Sequence, residues 1–155
     1  IPVDDYAVGL LAKIAIRQKA EPKLVYEYYR RAIYLNPRFA FWHKELGDYY
    51  LMEGKLNQAE KEYKQALKLY PNKLEFLVRM ARVKRLEGEF VEAEKFALRA
   101  LEVSGDHRLA LWELVWIYSA QAEPVKMKTT LEKLAFNYQD QWAKSLLAKF
   151  KNKKQ

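Results

Sequence analysis

The side chains best suited to bind charged groups lie on one short segment in which arginine recurs every third residue. Arg79, Arg82 and Arg85 follow this spacing, and Lys84 flanks them. A guanidinium group can donate two parallel hydrogen bonds to a carboxylate or a phosphate. The stripe therefore predicts a site for carboxylates, phosphates or an acidic peptide. The alternative interpretation is an amphiphilic surface helix whose charges simply face water.

A second candidate site is the pair Trp112 and Trp116, which are four residues apart and so share one helical face. The apolar packing stripe of the same helix is offset from them by about one residue, or ~100°. Exposed tryptophans are frequent anchors for protein partners, so the pair predicts an aromatic binding site. The alternative is that the last helix, or a neighbouring unit absent from this chain, buries both rings.

Composition argues against catalysis, cofactors and metal binding. The chain has no cysteine, and its two histidines, His43 and His107, lie far apart in the sequence. Its five glycines are scattered, so they form no phosphate-binding loop. No serine or threonine lies in a recognisable nucleophile motif. We therefore expect no enzyme activity, no cofactor and no metal site.

The positive charge is concentrated at the carboxyl end. The net charge is +8, but residues 142–155 contain five lysines and no acidic residue. This distribution weakens a nucleic-acid interpretation and favours a solvated basic tail, or a tether to an acidic partner, nucleic acid or anionic lipid. No apolar run approaches the ~20 residues of a membrane span. The compartment is left open.

The helices that position these residues repeat at an offset of 34 residues. The recurring positions are Ala32, Ala66 and Ala100; Pro37 and Pro71; Leu46, Met80 and Leu114; Gly54 and Gly88; and Ala59 and Ala93. Within one period, apolar residues at three- and four-residue steps form two stripes that a glycine separates and a proline ends. The pattern predicts antiparallel helix pairs that bury their stripes by stacking on neighbouring pairs.

The period 40–73 resembles a tetratricopeptide repeat. The matching positions are Leu46-Gly47, Tyr50, Ala59, Tyr63, Ala66 and Pro71, with His43 where tryptophan is usual and Trp42 one position early. The resemblance implies an all-α fold, a right-handed superhelix of antiparallel helix pairs (an α-solenoid), in a single domain over 1–155. The expected repeats are 6–39, 40–73, 74–107 and 108–141, followed by a capping helix over 142–153.

In this family the first helix of each repeat lines a concave groove that binds a peptide or a helix of another protein. The resemblance thus implies a scaffold for protein–protein interaction. The implied groove residues are Phe41, Lys44, Glu45, Asp48, Val78, Arg79, Arg82, Arg85, Trp112, Glu113 and Trp116. The expected partner is a protein or peptide of acidic or aromatic character, and nucleic acid is not expected.

Two other functions and the oligomeric state are left open by the sequence. Half-a-TPR repeats of RNA-processing scaffolds share the helix pair, and the run Tyr28-Tyr29-Arg30-Arg31-Ala32 is similar to theirs. Alternatively, the chain is a repeat module cut from a longer, membrane-anchored bacterial protein. Either monomer or oligomer is compatible with the pattern.

Two local predictions concern the helix ends. Asp4 and Asp106 precede predicted helices and are suitable N-caps, because their carboxylates can accept hydrogen bonds from free backbone amides. In the capping helix, Trp142, Leu146, Leu147 and Phe150 are expected on the packing side, with lysines on the other side. This helix should cover the exposed stripe of the last repeat.

Overall fold

The computed structural model describes residues 4–152 and their side chains as far as Phe150, and this part is entirely helical. Its nine helices are α1 (Asp5–Arg17), α2 (Pro22–Leu35), α3 (Ala40–Met52), α4 (Leu56–Leu69), α5 (Leu74–Leu86), α6 (Phe90–Ser104), α7 (Arg108–Ala120), α8 (Pro124–Asn137) and α9 (Gln141–Asn152). The all-α class is as predicted. Lys153 and Lys154, and with them the end of the predicted capping helix, lie outside the described residues.

The helices form two compact halves, one up to Pro71 and one from Asn72 onward. In the N-terminal half, α1 packs on α2, α2 on α3, and α3 on α4. In the C-terminal half, each of the helices from α5 to α9 packs on the next, and α5 also contacts α7. Short turns join the helices within each half, so consecutive helices run antiparallel.

Trp42 is the largest fully buried side chain of the N-terminal half. Its indole Nε1 donates a hydrogen bond to Asp5 Oδ2 at 2.7 Å, which ties α3 to the start of α1. His43, at the position where the family usually has tryptophan, instead forms a 2.7 Å contact with Glu62 and is half-buried. The core position is therefore filled by the tryptophan that lies one residue earlier.

The C-terminal half has two adjoining apolar clusters. In the first, small residues on α5 and α6, among them Ala81, Ala93 and Ala97, pack against α7. In the second, α7 and α8 contribute Leu111 and Leu131 among others, and α9 adds the fully buried Ala143. Helix α9 thus packs on the apolar stripe that α7 and α8 leave.

Trp142 is not on the packing side of α9, so that part of the prediction is wrong. Its side chain is 66% exposed, whereas Ala143 is fully buried in its place. Leu146, Leu147 and Phe150 do pack against the cluster as expected. The packing stripe is therefore rotated by about one residue, and it leaves the indole at the surface.

One of the two predicted N-caps is confirmed. The Asp4 carboxylate accepts a 2.6 Å hydrogen bond from the Ala7 amide at the start of α1. At α7 the cap is His107, whose Nδ1 accepts from the Ala110 amide at 3.3 Å, so the assignment of Asp106 is wrong. Among the described residues, none of the helices combines the length and the apolar character that crossing a bilayer requires.

Candidate functional site

In the N-terminal half, the predicted groove cation Lys44 is engaged within its own chain. It is 6% exposed, and its Nζ lies 2.5 Å from Glu45 Oε1 and 3.4 Å from Asp48 Oδ2. Its ammonium also lies 4.9 Å from the centre of the Phe41 ring, a cation–π distance. The α3 residues that the resemblance assigns to the groove therefore contact one another.

A second lysine completes this cluster from α1. Lys13 Nζ lies 2.9 Å from Glu45 Oε2 and 4.8 Å from the centre of the Phe41 ring. Burial alone would raise the pKa of Glu45, but the hydrogen bonds from Lys44 and Lys13 outweigh it and hold the pKa below its usual value. The carboxylate of Glu45 thus stays charged between two cations.

The three arginines of the stripe on α5 have different surroundings in the C-terminal half. Arg82 is exposed. Arg85 Nε donates to Glu113 Oε2 at 2.7 Å, and their side chains are only 20% and 11% exposed. The carboxylate that Arg85 binds is thus supplied by α7 of the same half.

A pocket of about 400 Å³ lies at the amino ends of α5 and α7. It is lined by Lys73, Leu74, Glu75, Val78, Arg79, His107 and Leu109. Val78 is 4% exposed, so it forms the floor of this pocket. Lys84, which flanks the stripe, instead pairs with Glu87 and Glu89 at 3.0 and 2.9 Å.

Three tryptophans meet on the surface of the C-terminal half. The ring centroids of Trp112 and Trp116 are 6.0 Å apart with an interplanar angle of 30°. Trp142, from α9, lies 6.2 Å from Trp112 at 75°, in an edge-to-face arrangement. Trp116 is 43% exposed and Trp142 66% exposed. We call Trp112, Trp116 and Trp142 the tryptophan face.

Asp140 forms hydrogen bonds to two members of the tryptophan face. Its buried carboxylate accepts hydrogen bonds from Arg108 at 2.7 and 3.0 Å and from the Trp112 indole at 3.2 Å. Its other oxygen accepts from the backbone amides of Trp142 and Ala143 at 3.0 and 3.1 Å, so it is the N-cap of α9. One carboxylate therefore connects α7 to the first turn of α9.

The hydrogen bonds also set the charge state of Asp140. Burial alone would raise its pKa, but the bonds from Arg108, from the Ala143 amide and from Trp112 lower the pKa below its usual value. Asp140 is not among the residues predicted from the sequence. The signal that could have found it is an aspartate directly before an amphipathic helix, the same signal that identified Asp4.

Beside the tryptophan face lies a pocket of about 580 Å³. It is lined by Arg108, Trp112, Tyr138, Gln139, Asp140, Gln141 and Trp142. Of the sequence-predicted site residues, Phe41, Lys44, Glu45 and Asp48 belong to the N-terminal half, and the other seven belong to the C-terminal half. In the part of the chain that the structure describes, no group of three or more histidines or acidic residues is placed to hold a metal ion.

Comparisons with known proteins agree with the sequence resemblance. Residues 50–107 match a family described as tetratricopeptide repeat. The fold is similar to that of a tetratricopeptide repeat protein from Parabacteroides merdae, with a TM-score of 0.82, 16% identity, and coverage of 91% of this chain and 55% of that chain. No curated protein matches the sequence.

Two further solved structures share the fold. A chain of the APC/C hetero-tetramer Cut9–Hcn1 has a TM-score of 0.77 and 16% identity over 94% of this chain and 29% of that chain. MamA has a TM-score of 0.75 and 18% identity over 84% of this chain and 71% of that chain. The present chain thus spans less than a third of the Cut9–Hcn1 chain and about half of the Parabacteroides protein. The match over residues 50–107 supports the predicted family, and the all-α, α-solenoid class is confirmed.

Proposed function

We propose, from the tetratricopeptide-repeat match over residues 50–107 and the shared fold, that this chain is a protein-interaction scaffold. The partner contributes a peptide or a helix, and the C-terminal half binds it on the side formed by α5, α7 and α9. The residues in contact are the tryptophan face and the exposed Arg82. Because the family and fold are generally non-catalytic, we assign the chain no reaction.

The observation that carries this proposal is the exposure of large aromatic rings on rigid helices. Trp116 and Trp142 are 43% and 66% exposed to solvent. Burying an indole is favourable in free energy because it removes a large apolar surface from water. Tryptophan is among the residues that most often dominate binding energy at protein interfaces. The Cut9–Hcn1 structure, which shares the fold, is described as a hetero-tetramer, and this supports a role in protein assembly.

A protein partner is favoured over RNA by the charges around this face. Affinity for nucleic acid depends mainly on cations that neutralise phosphates. Here Arg85 is paired with Glu113 and Arg108 with Asp140, so both guanidinium groups already have carboxylate partners. Contact with the aromatic rings is therefore expected to contribute more to binding at this surface than charge does.

The test is capture of partner proteins by the immobilised chain from an extract of the cells that produce it, with identification by mass spectrometry. We expect Trp116→Ala and Arg82→Glu to reduce recovery of the same protein. The matched control is Val91→Ala, because Val91 is 64% exposed but lies on α6. Unchanged recovery by both site variants would refute the assignment of this face.

A further inference from the structure

We infer that the tryptophan face binds a proline-containing segment in the polyproline II conformation. This inference rests on the proposed function, because a partner protein supplies the segment. It is carried by three features of the C-terminal half: the orientation of the three indoles, the distances between them, and the pairing of the charges around them.

Hydrogen bonds hold part of this geometry before any ligand binds. Asp140 holds Trp112 through its indole N–H and holds the backbone at Trp142 as the N-cap of α9. Arg108 locks the same carboxylate with two hydrogen bonds. Because the Trp112 ring and the backbone at Trp142 are already held, ordering them on binding costs little conformational entropy.

The arrangement of the rings forms a corner. Trp112 and Trp116 are inclined by only 30°, whereas Trp142 stands at 75° to Trp112 and forms a wall. Polyproline segments are recognised in grooves lined by aromatic side chains, and they lose little entropy because their backbone is already stiff. A pyrrolidine ring can lie on one indole while the upright indole stops it from sliding.

The spacing fits the period of this conformation. Neighbouring ring centroids are 6.0 and 6.2 Å apart, so the outer rings of the face are separated by at most about 12 Å. In polyproline II the rise is about 3.1 Å with three residues per turn, so residues i and i+3 lie about 9 Å apart on one side. Two prolines one turn apart therefore fit within the span of the face.

The charges favour an uncharged occupant. Of the residues that line the adjacent pocket, only Arg108 and Asp140 are ionised, and they are bonded to each other. The side chains of Arg85 and Glu113, the next ion pair, are likewise bonded to each other. The same pocket offers the amide of the exposed Gln141, a donor for the carbonyl oxygens that a polyproline II backbone leaves free.

The test uses the indole N–H signals in a proton–nitrogen correlation spectrum of the whole chain. The four tryptophans give four such signals, which single Trp→Phe variants assign. The probe is blocked hexaproline, with a blocked Gly-Ser peptide of equal length as the control. We expect Trp112, Trp116 and Trp142 to shift with hexaproline, while the fully buried Trp42 of the other half does not.

Variants then locate the site. Trp142→Ala should weaken hexaproline binding by roughly tenfold or more. Phe136→Ala is the matched control, because Phe136 is 81% exposed but lies on α8 and does not line the pocket. Both replaced side chains are at the surface, so each variant should fold, and a thermal melt of each checks this.

Four results would overturn the inference: no indole shift at millimolar hexaproline, equal shifts with the Gly-Ser peptide, equal shifts of all four indoles, or indole shifts with the glucose oligomer cellohexaose but not with hexaproline. The last result would identify a glycan site. If hexaproline fails while partner capture still depends on Trp116, the scaffold function stands and only this inference falls. If hexaproline binds but no partner is captured, the site is real and the scaffold function is the part in doubt.

Discussion

Gly9 of α1 packs directly under the six-membered ring of Trp42 of α3, so closely that a Cβ atom at this position would overlap the ring. Trp42 is fully buried and is held by the hydrogen bond from its Nε1 to Asp5. The ring therefore has little freedom to move aside. The absence of a side chain at Gly9 is what allows a tryptophan to fill this part of the core.

We expect Gly9→Ala to lower the free energy of unfolding by about 1–3 kcal/mol, because overpacking a rigid site forces neighbours out of position. The sign of this change in the free energy of unfolding distinguishes a close contact from an ordinary helical position. In an ordinary helix, the same change stabilises by about 0.5–1 kcal/mol. Urea unfolding of the whole chain measures the difference, and a stabilised variant would contradict the packing shown by Gly9 and Trp42.

A double-mutant cycle assigns the cost to this contact. The loss caused by Gly9→Ala should be smaller in a Trp42→Phe background, because phenylalanine lacks the outer ring that the new methyl group meets. Equal losses in the two backgrounds would show that Gly9 is needed for some other reason.

Ala122 carries a backbone strain that Gly54 and Gly88, its counterparts in two other repeats, avoid. Gly54 and Gly88 end the turns between paired helices with φ of +70° and +81°, and Ala122 lies one period later with φ of +56°. An alanine in this left-handed region costs roughly 1–2 kcal/mol, whereas glycine adopts it freely. We therefore expect Ala122→Gly to stabilise the chain by about 0.5–1 kcal/mol in thermal or urea unfolding.

The control for this substitution is Ala148→Gly. Ala148 is exposed in the middle of α9, and its φ is not positive. There glycine should destabilise by about 0.5–1 kcal/mol. If both changes shift stability in the same direction, the turn conformation is not the cause.

The repeat pattern predicted the fold because recurring positions carry recurring contacts. Gly47, for example, stands where a Cβ would lie 2.6 Å from the ring of Tyr63, so a repeat with this geometry needs a small residue there. Ala59 and Ala66 are fully buried for the same reason. Such contacts join residues of one helix pair, and the period in the sequence reflects them directly.

The site was harder to predict because its contacts do not recur. Arg108 and Asp140 are 32 residues apart and bond to each other in the last repeat. No other period contains a corresponding pair, so no repetition indicated it. Lys44 was identified by family position alone, and that position does not reveal that Glu45 and Asp48 surround its ammonium.

The pair Arg85 and Glu113 should contribute more to stability than a surface ion pair. Because both side chains are largely buried, we expect a coupling energy of about 1–2 kcal/mol from the cycle of Arg85→Met and Glu113→Gln. Arg82→Met is the control, since Arg82 is exposed on the same helix and should change stability by less than about 0.5 kcal/mol. A coupling no larger than that of exposed pairs would mean that solvent screens the contact.

Asp140 should make stability depend on acid pH. Its folded pKa is below the usual value because the bonds from Arg108, the Ala143 amide and Trp112 outweigh the effect of burial. A carboxylate with a lowered folded pKa contributes stability above its ordinary pKa of about 4, and this contribution is lost as the pH falls through the folded pKa. Asp140→Asn should therefore be less stable than the parent near neutral pH, by about 1–3 kcal/mol, and should lose less on acidification.

Thermal melts of both proteins between about pH 7 and pH 2.5 measure this difference, since the two curves should converge as Asp140 is protonated. Glu132→Gln is the matched control, because Glu132 is 54% exposed and pairs only with Lys128 among the described residues, at 3.6 Å. An exposed pair of this kind contributes little, so its curve should follow that of the parent. If Asp140→Asn and the parent instead remain parallel down to the lowest pH, the carboxylate is not charged in the folded state, and the hydrogen bonds that fix Trp112 and Trp142 are not those of an ionised aspartate.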